Sequence, residues 1–256
     1  MFSREIIEEI TSAAKALGIE PAALLAIAEV ESGGSAYARI DGRDEPLIRF
    51  EGHYFDRRLS AEKQAKARAL GLSAPVAGAV PNPRTQEARW RMLARAEKID
   101  RKAAYESVSW GLGQVMGAHW AWLGYADVET LAAEARAGAA GQVRLMARYI
   151  DKAGLTSSLR DHDWTAFARG YNGPDYRKNA YHTRLAAAYE RYRALAPTLV
   201  ETVGTRNPAA RDLLVRGFAG PAAATAPPVR RPLEWREAPV RAIVTQWLRD
   251  LCGRVC

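Results

Sequence analysis

The sequence predicts a mainly α-helical domain that carries one small β-hairpin. Through most of residues 1–196, apolar residues recur at spacings of three and four, which is the period of an amphipathic helix. Residues 35–52 break this period with a turn dipeptide and a short β-compatible run, which is typical of a hairpin. The 256-residue chain is 48% hydrophobic and 26% charged, a composition that indicates a folded globular protein.

The first two helices are bounded by residues that start and stop helices. Residues 4–17 carry a single apolar stripe, and Gly18 ends it. Pro21 suits the first turn of the next helix, which we expect to run to about Glu31 and to end at Gly33.

The hairpin is predicted to turn at Asp41-Gly42, with the apolar run 47–50 in its second strand. Beyond the hairpin, the helical period returns in five stretches of the chain. These predicted helices cover residues 84–105, 110–122, 139–153, 163–171 and 180–196.

The composition changes after residue 196, which predicts a domain boundary there. We expect a helical extension over 197–218, a linker rich in Ala and Pro over 219–232, and an amphipathic helix over 233–256. Nine arginines and five acidic residues give residues 197–256 a formal charge of +4. We expect this tail either to dock on the domain formed by residues 1–196 or to bind an anionic lipid or polymer.

The charge and the cysteine count limit the partners and cofactors. A formal net charge of +8 favours an anionic partner, but no zinc-finger or RNA-binding motif is present, so we expect no nucleic-acid partner. Cys252 and Cys256 are the two cysteines, which excludes a disulfide-stapled core. Because the four histidines are scattered, we expect no metal site. We also expect no cofactor and a monomeric protein.

Glu31 is the first candidate catalytic residue. On a helix that starts at Pro21, it shares the apolar face of Leu24 and Ile27. Burial and the negative end of the helix dipole should raise the pKa of its carboxyl, and a carboxylic acid that stays protonated near neutral pH can protonate a glycosidic oxygen. The alternative is structural: Glu31 closes the helix or pairs with an arginine.

Three segments in order resemble the lysozyme-like superfamily, which contains goose-type lysozymes and lytic transglycosylases. The segments are Glu31-Ser32-Gly33, then SWGLGQVM over residues 109–116, then ARGYNG over residues 168–173. Those enzymes share a catalytic Glu-Ser at a helix end, a Gly-Leu-x-Gln-x-Met segment and an Ala-x-x-Tyr-Asn-x-Gly segment. The resemblance implies a lysozyme-like helical domain whose cleft is lined by the hairpin.

A closer resemblance is to the phage N-acetylmuramidase family, the catalytic domain of modular endolysins. It is carried by VESGG at residues 30–34, Asp41-Gly42 in the hairpin and FEGHYF at residues 50–55, and it covers roughly residues 20–195. It implies cleavage of the β-1,4 bond after N-acetylmuramic acid in bacterial peptidoglycan, with Glu31 as the acid. The wall-binding repeat that such endolysins often carry is not recognisable here.

The N-terminus enters a helical pattern directly, without an apolar signal region. We therefore expect synthesis in the host cytoplasm. Action on the cell wall, in the periplasm, would then follow release by a separate route or delivery with a virion.

Glu51 is the leading candidate for a second carboxylate, because it follows the predicted second strand of the hairpin. Across a lysozyme-like cleft it would deprotonate the attacking water. Its structural alternative is a partner for His53 or Arg49. Asp41 and Asp44 are rival bases, although an Asp41 next to glycine is more simply a turn former.

The resemblance also implies a set of substrate-binding residues: Ser32, His53, Ser109, Trp110, Gln114, Tyr171 and Asn172. Ser109 and Gln114 would offer hydroxyl and amide groups to the sugar, with helix capping and core hydrogen bonding as the alternative. Tyr171 would hydrogen-bond the catalytic carboxyl or stack on the sugar, and Trp110 would stack. His53 is expected to be a hydrogen-bond partner and not a proton carrier.

Two other functions remain open from the sequence. A lytic transglycosylase uses the same acid, but the C6 hydroxyl of the muramyl residue attacks in place of water. A catalytically silent wall-binding or virion protein could also keep this fold, although the retained Glu31, Gln114, Tyr171 and Asn172 argue against it.

Overall fold

A computed structural model describes the backbone of residues 1–202 and the side chains of residues 1–195. The predicted linker 219–232 and C-terminal helix 233–256 lie outside the described residues, as does the predicted helical extension 197–218 from residue 203 onwards. The described helices are α1 (Arg4–Leu17), α2 (Pro21–Ser32), α3 (Gly52–Arg58), α4 (Ala61–Ala69), α5 (Gln86–Glu97), α6 (Arg101–Glu106), α7 (Trp120–Leu123), α8 (Val128–Arg136), α9 (Ala139–Lys152), α10 (Thr156–Arg160), α11 (Trp164–Asn172) and α12 (Tyr181–Thr202). The described strands are β1 (Tyr37–Ile40), β2 (Arg43–Pro46), β3 (Ile48–Phe50), β4 (Val108–Trp110) and β5 (Val115–Met116).

The first two helices begin and end as the sequence predicts. Gly18 and Gly33 each follow the last helical residue in the left-handed conformation, with φ of 65° at both positions. This conformation ends a helix at low cost only where the side chain is absent. Helix α2 is buried on all sides and packs against α1 and α12, so it is the central helix of the domain and not a surface helix with one apolar face.

The predicted hairpin is present, but it is shorter than expected. Strands β1 and β2 pair in antiparallel fashion around Asp41-Gly42, both of which have positive φ. The apolar run that includes β3 belongs to a second sheet, in the order β3-β4-β5. Ile48 and Phe50 are fully buried in that sheet, and the Asn82 side chain hydrogen-bonds both the N–H and the carbonyl of Phe50.

The prediction of one helix over 110–122 is wrong. Residues 108–116 form the antiparallel strands β4 and β5, a 3₁₀ turn follows at Gly117–His119, and only the short α7 is helical. The reason is local, since Gly111 and Gln114 have φ of 67° and 46°, outside the range of a right-handed helix.

The other helices agree with the predictions to different degrees. The predicted helix 84–105 is interrupted before Asp100, whose carboxylate caps α6 by accepting a hydrogen bond from Ala103 N at 2.9 Å. Helices α9, α11 and α12 lie where the sequence predicts them, and the backbone of α12 continues beyond residue 196 to Thr202. Helices α3, α4, α8 and α10 were not predicted.

Two apolar clusters build the core. One surrounds α2 and includes residues of α1, α9, α11 and α12. The other surrounds β3 and β4 and includes residues of α3, α5, α6 and α8. Tyr149 of α9 packs against both clusters, so the candidate site described below lies where they meet. Within residues 1–202, no helix combines the length and the apolar character needed to cross a membrane.

Candidate active site

The last turn of α2 borders a pocket of about 370 Å³, part of which is open to solvent, and we call it the Glu31 pocket. Helices α2, α9 and α11 contribute to its wall, together with the segment from Gly113 to Met116 and the 3₁₀ turn that follows. The side chains that bear polar or aromatic groups are Glu31, Gln114, His119, Tyr149, Tyr171 and Asn172. Four predicted site residues, Glu31, Gln114, Tyr171 and Asn172, therefore meet here although the sequence separates them widely.

The Glu31 carboxyl is buried, with 7% of the residue exposed. The Tyr181 hydroxyl donates a hydrogen bond to its Oε1. Burial raises the pKa of Glu31 to about 7, although the Tyr181 hydrogen bond and the positive charge of Arg184 both act to lower it. The raised pKa confirms the expectation from the sequence, and it leaves a large fraction of the carboxyl protonated at neutral pH.

Tyr181 is a site residue that the sequence analysis missed. It begins α12, which packs along α2, and it is fully buried. Arg184 lies one helical turn further along α12, on the same side of the helix. No motif marks either residue, and only the packing of α12 on α2 brings them to Glu31.

The turn between β4 and β5 forms the floor of the pocket. Gln114 adopts a φ of 46°, and its side-chain amide donates to the carbonyls of Gly111 at 2.8 Å and Leu47 at 3.3 Å. The Tyr171 hydroxyl donates to the carbonyl of Gly113 at 2.6 Å. Tyr171 therefore holds the floor in place and does not hydrogen-bond the Glu31 carboxyl, which was one of its expected roles.

Gln142 is a second residue that the sequence analysis missed. Its side chain accepts a hydrogen bond from Leu112 N at 3.0 Å and donates one to the carbonyl of Ala36 at 3.1 Å. A Cβ at Gly111 would lie 2.9 Å from the Gln142 side chain, so only glycine allows this close approach. The two hydrogen bonds of Gln142 thus connect the pocket floor to the segment that follows α2.

An aromatic wall completes the pocket. The ring centroid of Tyr149 lies 5.1 Å from those of His119 and Tyr171, and Trp122 stands behind His119 at 5.6 Å. Aromatic side chains that combine an apolar face with a polar tip suit the faces and hydroxyls of a sugar. The amide Nδ2 of Asn172 is buried and has no hydrogen-bond partner among the described residues.

The structure does not bring Glu51 into the Glu31 pocket. Its carboxylate is 3% exposed, accepts a hydrogen bond from Arg49 Nε at 2.7 Å and lies 3.6 Å from His53 Nδ1. It follows β3 and not the hairpin, because β3 belongs to the other sheet. This geometry favours the structural alternative for Glu51 and His53.

The two rival carboxylates lie on the hairpin. Asp41 is exposed at its tip with a φ of 45°, and Asp44 is exposed and paired with Arg39 at 3.1 Å. Neither residue lines the Glu31 pocket. The strand residues that line it, Val115 and Met116, come from β5.

Three predicted substrate-binding residues have structural partners instead. The Ser32 hydroxyl donates to the carbonyl of Ala28 at 2.6 Å and accepts from Gly34 N at 3.3 Å, which caps the end of α2. Ser109 and Trp110 are fully buried, and the indole N–H donates to the carbonyl of Tyr105 at 3.3 Å. The ring of Trp110 packs in the core because it lies on a buried strand and not on a helix beside the pocket.

Comparison with known proteins identifies a family and a similar solved structure. The N-acetylmuramidase family model matches residues 20–193, which include every polar or aromatic side chain of the Glu31 pocket. The crystal structure of Burkholderia AP3 phage endolysin is similar, with a TM-score of 0.63 and 32% sequence identity over 73% of this chain and 71% of that one. No curated protein sequence matches. The likeness and the described elements confirm the mainly α, lysozyme-like fold class.

Proposed function

Because this chain belongs to the N-acetylmuramidase family, we propose that it hydrolyses the β-1,4 bond between N-acetylmuramic acid and N-acetylglucosamine in peptidoglycan. The single observation that carries the proposal is the Glu31 carboxyl, buried at the edge of a pocket with a pKa of about 7. The Burkholderia protein that it resembles is a phage endolysin, and we propose the same bacteriolytic use here.

In the proposed reaction, Glu31 is the general acid. It gives its proton to the glycosidic oxygen as the bond from that oxygen to C1 breaks, and a water oxygen bonds to C1. The Glu31 carboxylate that forms accepts the Tyr181 hydrogen bond and faces the positive charge of Arg184, and both interactions stabilise it. The amide of Asn172 and the faces of Tyr149 and His119 are proposed to contact the sugar.

The proton of the attacking water needs an acceptor. We propose a carboxylate of the β1–β2 hairpin, Asp41 or Asp44, because both are exposed on the segment that leaves α2 directly after Glu31. Glu51 is the weaker candidate, because a base must reach the substrate and its carboxylate is held in a buried ion pair with Arg49.

A lytic transglycosylase is the second candidate function. It is favoured by one observation: of the described residues that line the Glu31 pocket, Glu31 alone carries a carboxylate. The reaction would need no water base, since the muramyl C6 hydroxyl attacks C1.

The products distinguish the two functions. After complete digestion of purified peptidoglycan, we expect fragments with a free reducing N-acetylmuramic acid. In mass analysis each would be heavier by one water than the corresponding 1,6-anhydro fragment. A digest that contains only anhydro ends would show a transglycosylase. An intact sacculus after exposure to well-folded protein would favour the catalytically silent alternative.

The Tyr181 hydrogen bond should set the pH dependence of cleavage. Because this bond lowers the pKa of Glu31, we expect Tyr181→Phe to raise that pKa further. The acid is active when protonated, so the alkaline limb of kcat/KM should lie near pH 7 in the wild type and at higher pH in the variant. Tyr176→Phe, on a buried tyrosine outside the pocket lining, is the matched control and should leave the limb in place.

We propose that the protein acts on the bacterial cell wall as a monomer without a nucleic-acid partner. The positive charge of residues 197–256 is proposed to favour an anionic lipid or polymer of the envelope. These C-terminal residues lie almost entirely outside the described part of the chain.

A further inference from the structure

A second pocket lies at the end of α2, on the side of the helix away from the Glu31 pocket. It has a volume of about 870 Å³, part of which is open to solvent, and we call it the Arg184 pocket. Its lining includes Glu29, Gly33, Gly34, Arg184 and Arg191. Helices α2 and α12 therefore form its two sides, and the last turn of α2 separates it from Glu31.

The charged side chains that line the Arg184 pocket leave an excess of positive charge. Glu29 forms an ion pair with Arg191, so these two groups neutralise each other. For Arg184 the structure gives one hydrogen bond, from Nη2 to the carbonyl of Val30 at 3.5 Å, and its Nη1 is buried without a hydrogen-bond partner among the described residues. The Arg184 guanidinium lines the pocket with this one long hydrogen bond, so it keeps donor capacity that an anionic ligand in the pocket would use.

Arg184 also lies close to the catalytic carboxyl. Tyr181, one turn before it on α12, touches Glu31, and the charge of Arg184 acts on the Glu31 carboxyl. The Arg184 pocket therefore lies at the same end of α2 as the Glu31 pocket, on the other side of its last turn.

Peptidoglycan carries a suitable anionic group on each muramyl residue. Each N-acetylmuramic acid bears a peptide stem on its lactyl ether, and the stem ends and branches in free carboxylates. An extended peptide covers about 3.3–3.6 Å per residue, so two residues reach about 7 Å from the sugar. The guanidinium of arginine offers paired N–H donors that match a carboxylate.

Resting on the proposed function, we propose that the Arg184 pocket binds a carboxylate of the peptide stem. The enzyme then recognises peptide-substituted muramyl residues in preference to bare glycan. Arg184 supplies a cation that no carboxylate lining this pocket pairs with, and the backbone at Gly33 and Gly34 allows close approach because neither residue carries a side chain.

The test compares two substrates that differ only in the stem: soluble peptidoglycan strands, and the same strands after an amidase has removed the peptides. Kinetics are measured at pH 5, where Glu31 is protonated in every variant, so an effect of Arg184 on the Glu31 pKa does not contribute. For Arg184→Gln we expect KM to rise about tenfold on the stem-bearing strands and not on the bare strands. Because the charge of Arg184 also stabilises the Glu31 carboxylate, kcat should fall by the same factor on both substrates. Arg184→Lys should raise KM on the stem-bearing strands by a smaller factor, because lysine keeps the positive charge.

Arg193→Gln is the matched control, because Arg193 lies on the same helix, is exposed and pairs with Glu190. It should change KM on neither substrate. The stem peptide released by the amidase gives a second measurement that does not depend on catalysis. In calorimetry it should bind the wild type and fail to bind Arg184→Gln.

The outcomes separate this inference from the proposed function. A wild type that cleaves neither substrate would contradict the proposed function. A wild type that cleaves both with the same KM, or an Arg184→Gln variant whose KM rises equally on both, would overturn the stem-binding inference alone. If Arg184→Gln does not fold, the lysine variant and the binding of the free stem peptide to the wild type still decide it.

Discussion

Glu31→Gln is expected to lower kcat for peptidoglycan cleavage by about 10²–10⁴-fold, the scale typical of a positioned general acid. The amide has the size of the carboxylic acid and can accept the Tyr181 hydrogen bond, but it has no proton to give to the leaving oxygen. The decrease should appear in kcat with little change in KM, because substrate contacts are retained. Turbidity of a cell-wall suspension, with mass analysis of the fragments, measures it.

The stability of the same variant gives an internal control. The folded pKa of Glu31, about 7, lies above the ordinary 4.5, so Glu31 contributes stability that is fully present below pH 4.5 and is lost as the pH rises through 7. Glu31→Gln has no such dependence. Relative to the wild type, it should gain roughly 3 kcal/mol in free energy of unfolding between pH 4 and pH 8. If a well-folded Glu31→Gln protein lysed cells at the wild-type rate, Glu31 would not be the catalytic acid.

Glu51→Gln is expected to destabilise the protein by about 3–5 kcal/mol, because it leaves the buried Arg49 guanidinium without its carboxylate. In a domain of this size, that loss lowers the melting temperature by roughly 6–20 °C. Below the melting temperature, kcat should remain near the wild-type value, since Glu51 does not line the Glu31 pocket. Thermal unfolding followed by circular dichroism, together with kcat at 20 °C, measures both quantities.

Glu190→Gln is the matched control for this prediction. It removes the carboxylate from the exposed pair with Arg193, where 58% and 62% of the side chains are accessible, and such pairs contribute about 0–1 kcal/mol. The opposite pattern for Glu51→Gln would be an unchanged melting temperature with a large decrease in kcat. That result would restore Glu51 as the water base, in place of the hairpin carboxylates.

The structure places Glu51 and Trp110 differently from the prediction made from the sequence. Both were assigned to the site from motifs that lie beside it, and both are in the core. A motif shows which segments approach the pocket, but the direction of each side chain depends on strand register. Ile48 pairs with Trp110 in the second sheet, and nothing within residues 47–51 reveals that partner strand about sixty residues away.

The residues around Glu31 show where local information was sufficient. Helix α2 and its end at Gly33 follow from local signals, because helix period and capping are set by neighbours in sequence. The raised pKa of Glu31 could be expected because a helix this apolar has to be buried by the rest of the fold. The segments that carry Gln114 and Tyr171 could also be named, since their residue types match a family pattern.

By itself, the sequence determined that the protein is mainly helical, that a small hairpin follows α2, and that Glu31 is the acid candidate. Tertiary structure alone decided that Tyr181 and Arg184 lie next to this acid, that Gln142 fastens the pocket floor, and that Arg49 holds Glu51 away from it. The physical reason is the range of each interaction. Helix period and capping act within a few residues, whereas the contacts that set the charge and shape of the site join residues far apart in the chain.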